Sequence, residues 1–164
     1  MLRSKDFYMK SVYDVRGKKI GIVEDLFIDF FEGKVKGLKV SNYSLFSKKN
    51  FVEIKSIISI NKEIIVEESI KGEGIEFKNI KAMDIIDSNG DIKGVVEDII
   101  IEEENFYIKG LVISTGIIER LIKGKKILLI GECILGEEYI LYMGEDGVTL
   151  KSMPRKVDKN EATN

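Results

Sequence analysis

Two adjacent carboxylates, Glu24-Asp25, recur as Glu97-Asp98. Paired acids are the raw material of general acid–base catalysis, which needs two titratable groups held in different environments across a substrate. Neighbours on a strand point to opposite faces, so neither pair can form such a dyad by itself. The chain has no histidine, the commonest general base and metal ligand. Asp87-Ser-Asn-Gly-Asp91 opens like a calcium-binding loop, but that loop needs glycine sixth and glutamate twelfth. Here glycine is fourth and Asp98 falls twelfth, which favours a hairpin turn. Lys123-Gly-Lys-Lys126 is basic, yet it lacks the spacing of a phosphate-binding loop. These residues assign no catalytic group, no cofactor and no metal.

The carboxylate pairs belong to a larger repetition. Shifted by 73 positions, Gly17, Gly21, Val23, Glu24, Asp25 and Ile28 fall on Gly90, Gly94, Val96, Glu97, Asp98 and Ile101. Gly37-Leu38 falls on Gly110-Leu111 at the same shift. After a three-residue insertion the shift becomes 76, and Phe51, Val52, Ile54, Ile58 and Ile64 meet Ile127, Leu128, Ile130, Ile134 and Ile140. A period of this kind decides the architecture before any other feature does. We divide the chain of 164 residues into a first repeat (1–70), a joint (71–80), a second repeat (81–150) and a polar tail (151–164).

The apolar positions are dominated by isoleucine and valine, which suit a pleated surface. Strands are expected near Val12–Asp14, Lys19–Phe31, Lys34–Val40, Asn50–Glu53, Ile57–Asn61 and Glu63–Glu67. Their counterparts are Ala82–Ile86, Ile92–Glu103, Phe106–Ile113, Lys126–Leu129, Cys133–Leu135 and Glu138–Met143. Turn chemistry at Glu32-Gly33 and at Asp87-Ser-Asn-Gly90 separates them. Many short strands at this spacing predict an all-β fold of small barrels. Ile75 and Phe77 alternate within the joint and could lie down as a further strand. Each half is roughly 70 residues, a size at which a lone core is marginal, so the halves should pack on each other as a pseudo-twofold pair or on another chain.

A bulge at each Glu-Asp pair would turn Val23, Leu26 and Ile28, and equally Val96, Ile99 and Ile101, inward, with the carboxylates left outside. Gly17 and Gly90 stand where a turn wants positive φ. Gly21 and Gly94 stand where a barrel turns a tight corner.

Asp14-x-x-Gly17-x-x-x-Gly21-x-Val23-Glu24-Asp25 followed by Gly37-Leu38-x-Val40 resembles the PRC-barrel domain. The second copy, Asp87-x-x-Gly90-x-x-x-Gly94-x-Val96-Glu97-Asp98-Ile99 followed by Gly110-Leu111-Val112-Ile113, resembles it more clearly. That module is shared by the photosynthetic reaction centre H subunit and a ribosome maturation factor. Gly116, the basic run Lys123–Lys126 and the apolar strand after it follow the family's order. In the first copy, Asn42–Ser47 departs from the glycine-bearing loop. The resemblance implies two six-stranded barrels in tandem that work as an adaptor, with no catalytic residues to transfer.

The loops after the third strands are the candidate partner-binding elements. In the second copy Ile117, Ile118, Leu121 and Ile122 are spaced as one stripe of a short helical turn that stops at Gly124. In the first copy Tyr43, Leu45 and Phe46 take that place. With Lys123, Lys125 and Lys126 as a basic rim, these side chains either plug a barrel end or dock a protein partner. The alternative function is an RNA-linked or ribosome-associated one, by analogy with the maturation factor. The balance of 26 basic and 28 acidic residues argues against a nucleic-acid coat. No run approaches the length of a membrane span, no secretory signal is visible, and the lone Cys133 is expected as a buried, inert thiol. Those features point to the cytoplasm, the abundance of isoleucine and lysine fits an AT-rich bacterial genome, and self-association is left open.

Overall fold

The computed structural model describes residues 1–42, 49–115, 125–145 and 148–150. The first repeat supplies β1 (Leu2–Arg3), a 3-10 turn over Ser4–Asp6, β2 (Ser11–Asp14), β3 (Lys19–Asp29), β4 (Lys34–Asn42), β5 (Phe51–Glu53), β6 (Ile57–Ile60) and β7 (Ile64–Val66). The segment 71–80 carries β8 (Ile75–Glu76) and a one-turn helix α1 (Phe77–Ile80). The second repeat supplies β9 (Asp84–Asp87), β10 (Ile92–Ile101), β11 (Ile108–Ser114), β12 (Lys125–Leu129), β13 (Cys133–Leu135), β14 (Tyr139–Tyr142) and β15 (Val148–Leu150). The fold is all-β, in two curled sheets.

The sheets have matching orders, β5-β4-β3-β2-β7-β6 and β12-β11-β10-β9-β14-β13, with β15 added beside β12. Six strands thus run in the same order in each sheet, and the second adds β15 of its own repeat. β2 and β7 pair in parallel, as do β9 and β14, and the remaining ladders are antiparallel. Val12, Val23, Leu26 and Leu38 fill one barrel and Ile85, Val96, Ile99 and Leu111 the other, all at most 2% exposed. The two interiors merge into one apolar cluster.

The repeats meet around a local twofold. Lys34 pairs with Tyr107, its own counterpart at the 73-residue shift. On either side the Val35 amide donates to the Phe106 carbonyl (3.0 Å) and the Ile108 amide to the Gly33 carbonyl (2.8 Å). Gly33 and Phe106 share one left-handed conformation, φ 60° and 59°. Glycine takes it without strain, and a Cβ there would sit 3.2 Å from the Ile130 side chain. Phenylalanine takes it at a cost of about 1–2 kcal/mol, set against a tilted ring contact with Phe7 at 6.4 Å.

The sequence did not announce an exchange of arms. The segment ahead of β2 in repeat one lies on repeat two: Leu2 pairs with Ile101 and Arg3 with Ile100. The segment that precedes repeat two lies on repeat one: Phe27 pairs with Glu76 and Ile28 with Ile75. Each arm then passes through a helical turn and a left-handed residue, Met9 (φ 63°) or Ala82 (φ 69°). The Met9 amide is held by the Val23 carbonyl and the Ala82 amide by that of Val96. Phe7 and Ile80, equivalent residues of the two arms, are 1% and 2% exposed.

Both expected bulges are present, as register shifts between Val23 and Asp25 against β4 and between Val96 and Asp98 against β11. The expectation that the carboxylates stay outside is corrected. Glu24 is exposed, but Asp25 and Asp98 are 2% and 5% exposed. The extra residue of the bulge turns the aspartate inward beneath the arriving arm, where backbone donors await it. Val96 lies beside it at 2% exposure, so Val96→Asp would bury an unpaired charge next to an existing one. It is expected to cost several kcal/mol, seen as a lower urea midpoint. An unchanged midpoint would refute the inward placement of Val96.

Candidate functional site

The buried aspartates are joints between the repeats. Asp25 accepts the amide of its successor Leu26 (2.8 Å), the Tyr8 hydroxyl (3.2 Å) and the amide of Lys78 in the first turn of α1 (3.0 Å). Asp98 accepts the Ile99 amide (2.8 Å), the Ser4 amide (3.1 Å) and the Ser4 hydroxyl (2.5 Å). Its second oxygen meets the Arg3 guanidinium at 2.7 Å. Each carboxylate therefore caps the helical turn of an arm reaching it from another part of the chain, satisfying amides that such a turn leaves free. Burial, with the Asp25 carboxylate next, holds the Tyr8 phenol protonated well above its usual range. Of the flanking glutamates, Glu97 is bound by Lys125. The two aspartates thus tie each arm to the strand on which it lies.

The calcium-like stretch is a turn, and it repeats. Asp14 accepts the amides of Arg16 and Lys18, each at 2.9 Å, and Asp87 those of Asn89 and Asp91, also at 2.9 Å. Gly17 and Gly90 close these turns at φ 78° and 88°. The Lys18 amide holds the Asp14 carboxyl below its usual range, and the Lys93 ammonium does the same for Asp87. Among the described residues no group of three or more His, Cys, Asp or Glu could hold a metal ion.

Cys133 is half-buried at the start of β13 instead of fully buried, because that strand ends its sheet. Its thiol donates to the Leu129 carbonyl (3.4 Å), and burial pushes its pKa up to about 12, so it remains an inert thiol.

Of the loop residues singled out from the sequence, Tyr43, Leu45, Phe46, Ile117, Ile118, Leu121 and Lys123 lie outside the described residues, as do the helical turn and the polar tail. Lys125 and Lys126 open β12, with Lys125 engaged by Glu97 and Lys126 half-buried.

An apolar groove of about 810 Å³ opens elsewhere, between the repeats. Its walls include Ile28, Phe31 and Ile75 on one side and Ile130, Ile134 and Leu135 on the other. Phe31 is 100% exposed, Ile134 57% and Ile75 40%. The first wall is the end of β3 with the β8 strand paired to it, and the second is the turn into β13. A smaller hollow continues past Ile134 along Glu137, Glu138 and Tyr139.

The pseudo-twofold gives this groove a control. At the 73-residue shift, Phe30 and Phe31 correspond to Glu103 and Glu104, both exposed acids. The shared barrel can thus be built with carboxylates at these positions, and the phenylalanines belong to one copy alone. Contiguous exposed apolar surface is the kind of feature that interaction sites use. The difference was visible in the aligned copies; its position beside Ile134 was not.

Among the described residues no helix is long and apolar enough to cross a membrane. A family model described as the PRC-barrel domain matches residues 1–73 and again 72–132. Comparison with curated proteins finds no match to the chain.

Proposed function

The chain belongs to the PRC-barrel family, with one match in each half, and from that premise we propose that it is a non-catalytic adaptor that holds a protein partner. The observation that carries this reading is the groove between the repeats, where Phe31 stands fully exposed at a position the other copy fills with Glu104. Supporting it, the conspicuous acids are occupied in joining the arms or closing turns, which leaves them to structure.

The test is affinity capture from the cells that make the protein, with and without ribonuclease, comparing the wild type with Phe31→Ser. Because Phe31 is 100% exposed, its loss should leave folding unchanged within about 0.5 kcal/mol. A protein retained after ribonuclease and lost with Phe31→Ser is the expected result. Recovery of RNA that both forms retain equally would instead support the RNA-linked alternative and sink the adaptor reading.

A further inference from the structure

We infer that the groove takes an extended, basic peptide segment of a partner protein, laid along the free edge of β13 with its apolar side chains between Phe31 and Ile134. This deepens the adaptor reading and rests on it. Three observations choose the occupant.

The first is the edge. Among the described residues β13 has one ladder partner, β14, and ends its sheet. On the outer side of this three-residue strand the Cys133 amide is already bonded to the Ile130 carbonyl, so an arriving strand would pair with the Leu135 amide and the Cys133 and Leu135 carbonyls; β-addition is a recurrent mode of peptide recognition. The chain already uses this mode on itself, since β1 and β8 are two-residue strands added to β10 and β3.

The second is the continuity of apolar surface with that edge. Cys133, Ile134 and Leu135 of β13 all line the groove, and Ile134 extends into the next hollow. A strand added here would alternate its side chains, every second one falling into the space between Ile134 and Phe31.

The third is charge. The groove and its continuation are lined by Asp29, Glu73, Glu137 and Glu138 against a single lysine, Lys36. That lysine is already shared by Asp29 at 3.9 Å and Glu32 at 3.5 Å. The rim therefore carries an excess of carboxylate that favours lysine or arginine at the ends of the segment and repels an acidic one. The same rim disfavours a second copy of this acidic-balanced chain and a nucleic-acid backbone.

The probe is the synthetic peptide Lys-Lys-Val-Thr-Ile-Thr-Val-Lys-Lys, titrated into the isotopically labelled full chain and followed by amide chemical shifts. Shifts at β13 and at Phe31 are expected, weakening as salt is raised. Phe31→Ser is expected to reduce affinity roughly tenfold or more, as for an interface anchor. The version with prolines in place of threonines, which lacks two amide donors, and the version with glutamates in place of lysines should both bind more weakly. Equal binding by the glutamate version, or shifts confined to another surface, overturns the proposal. So does concentration-dependent dimerisation of the protein alone that Phe31→Ser abolishes, which would make the occupant a second copy. If the peptide fails while Phe31→Ser still abolishes cellular capture, the adaptor reading survives and the basic strand does not.

Discussion

Residues 1–73 expressed without the rest of the chain are expected to lose the folded monomer altogether. The sequence divides cleanly into two copies, but the structure does not divide at the same place. Removing residues beyond 73 takes β8 from the edge of β3 and takes Phe77 and Ile80, 0% and 2% exposed, out of the shared core. It strips the Lys78 amide from the buried Asp25. It also leaves the arm at Leu2–Phe7 without the β10 strand on which it lies. Burial of one such apolar side chain contributes about 1.5–3 kcal/mol, against a total stability of about 5–15 kcal/mol for a whole domain. Three simultaneous losses should exceed what a half of this size retains. Amide spectra and sedimentation should report an unfolded chain or an arm-exchanged dimer. Mixing with residues 74–164 should restore the dispersed spectrum of the intact protein. A dispersed spectrum from a monomeric 1–73 would show that the exchange is dispensable.

Asp98→Ala is expected to cost about 3–5 kcal/mol, more than removal of any exposed charge. Asp98 holds four donors at once: the Ile99 amide, the Ser4 amide, the Ser4 hydroxyl and the Arg3 guanidinium. Alanine leaves the amides unpaired under a buried arm and strands a guanidinium whose side chain is 24% exposed. At about 2–4 °C per kcal/mol for a chain of this size, the melting temperature should fall by on the order of 10 °C. Arg3→Met is the informative companion. It removes the cation and keeps three neutral donors on Asp98, so it should cost far less. A loss below about 1 kcal/mol for Asp98→Ala would mean that the arm is held by its apolar contacts alone.

Much of the barrel could be read from residue types, because each device that shapes it recurs in both copies. The glycines at 17 and 90, the Glu-Asp pairs and the β-branched strands placed turns, bulges and ladders to within a few residues. The exchange of arms was illegible for a physical reason. The alternation at Ile75 and Phe77 pointed to a strand in the joint, and β8 is there, but Leu2-Arg3 shows no periodicity and strands of two residues do not name partners that lie far away in sequence. The direction of the two aspartates was misjudged from the same cause. A bulge can aim the residue after its extra one inward or outward, and the donors that draw these aspartates in arrive on arms from elsewhere in the chain. Phe31 looked like the end of a strand until the fold set Ile134 across from it.

The crossing arms also set an order in time. A ribosome releases Leu2 and Arg3 well before the strand that receives them, which ends at Ile101, close to a hundred residues later. At about 5–20 residues per second, that is an interval of roughly 5–20 s in which the leading arm has nowhere to lie. Repeat one can close earlier, as soon as β8 and α1 have emerged. The nascent chain therefore passes through a stage with one barrel sealed and the Leu2–Phe7 arm still loose. During that stage the arm of one chain can settle on the β10 of a neighbour on the same messenger, and crowded translation would favour tangled pairs over finished monomers.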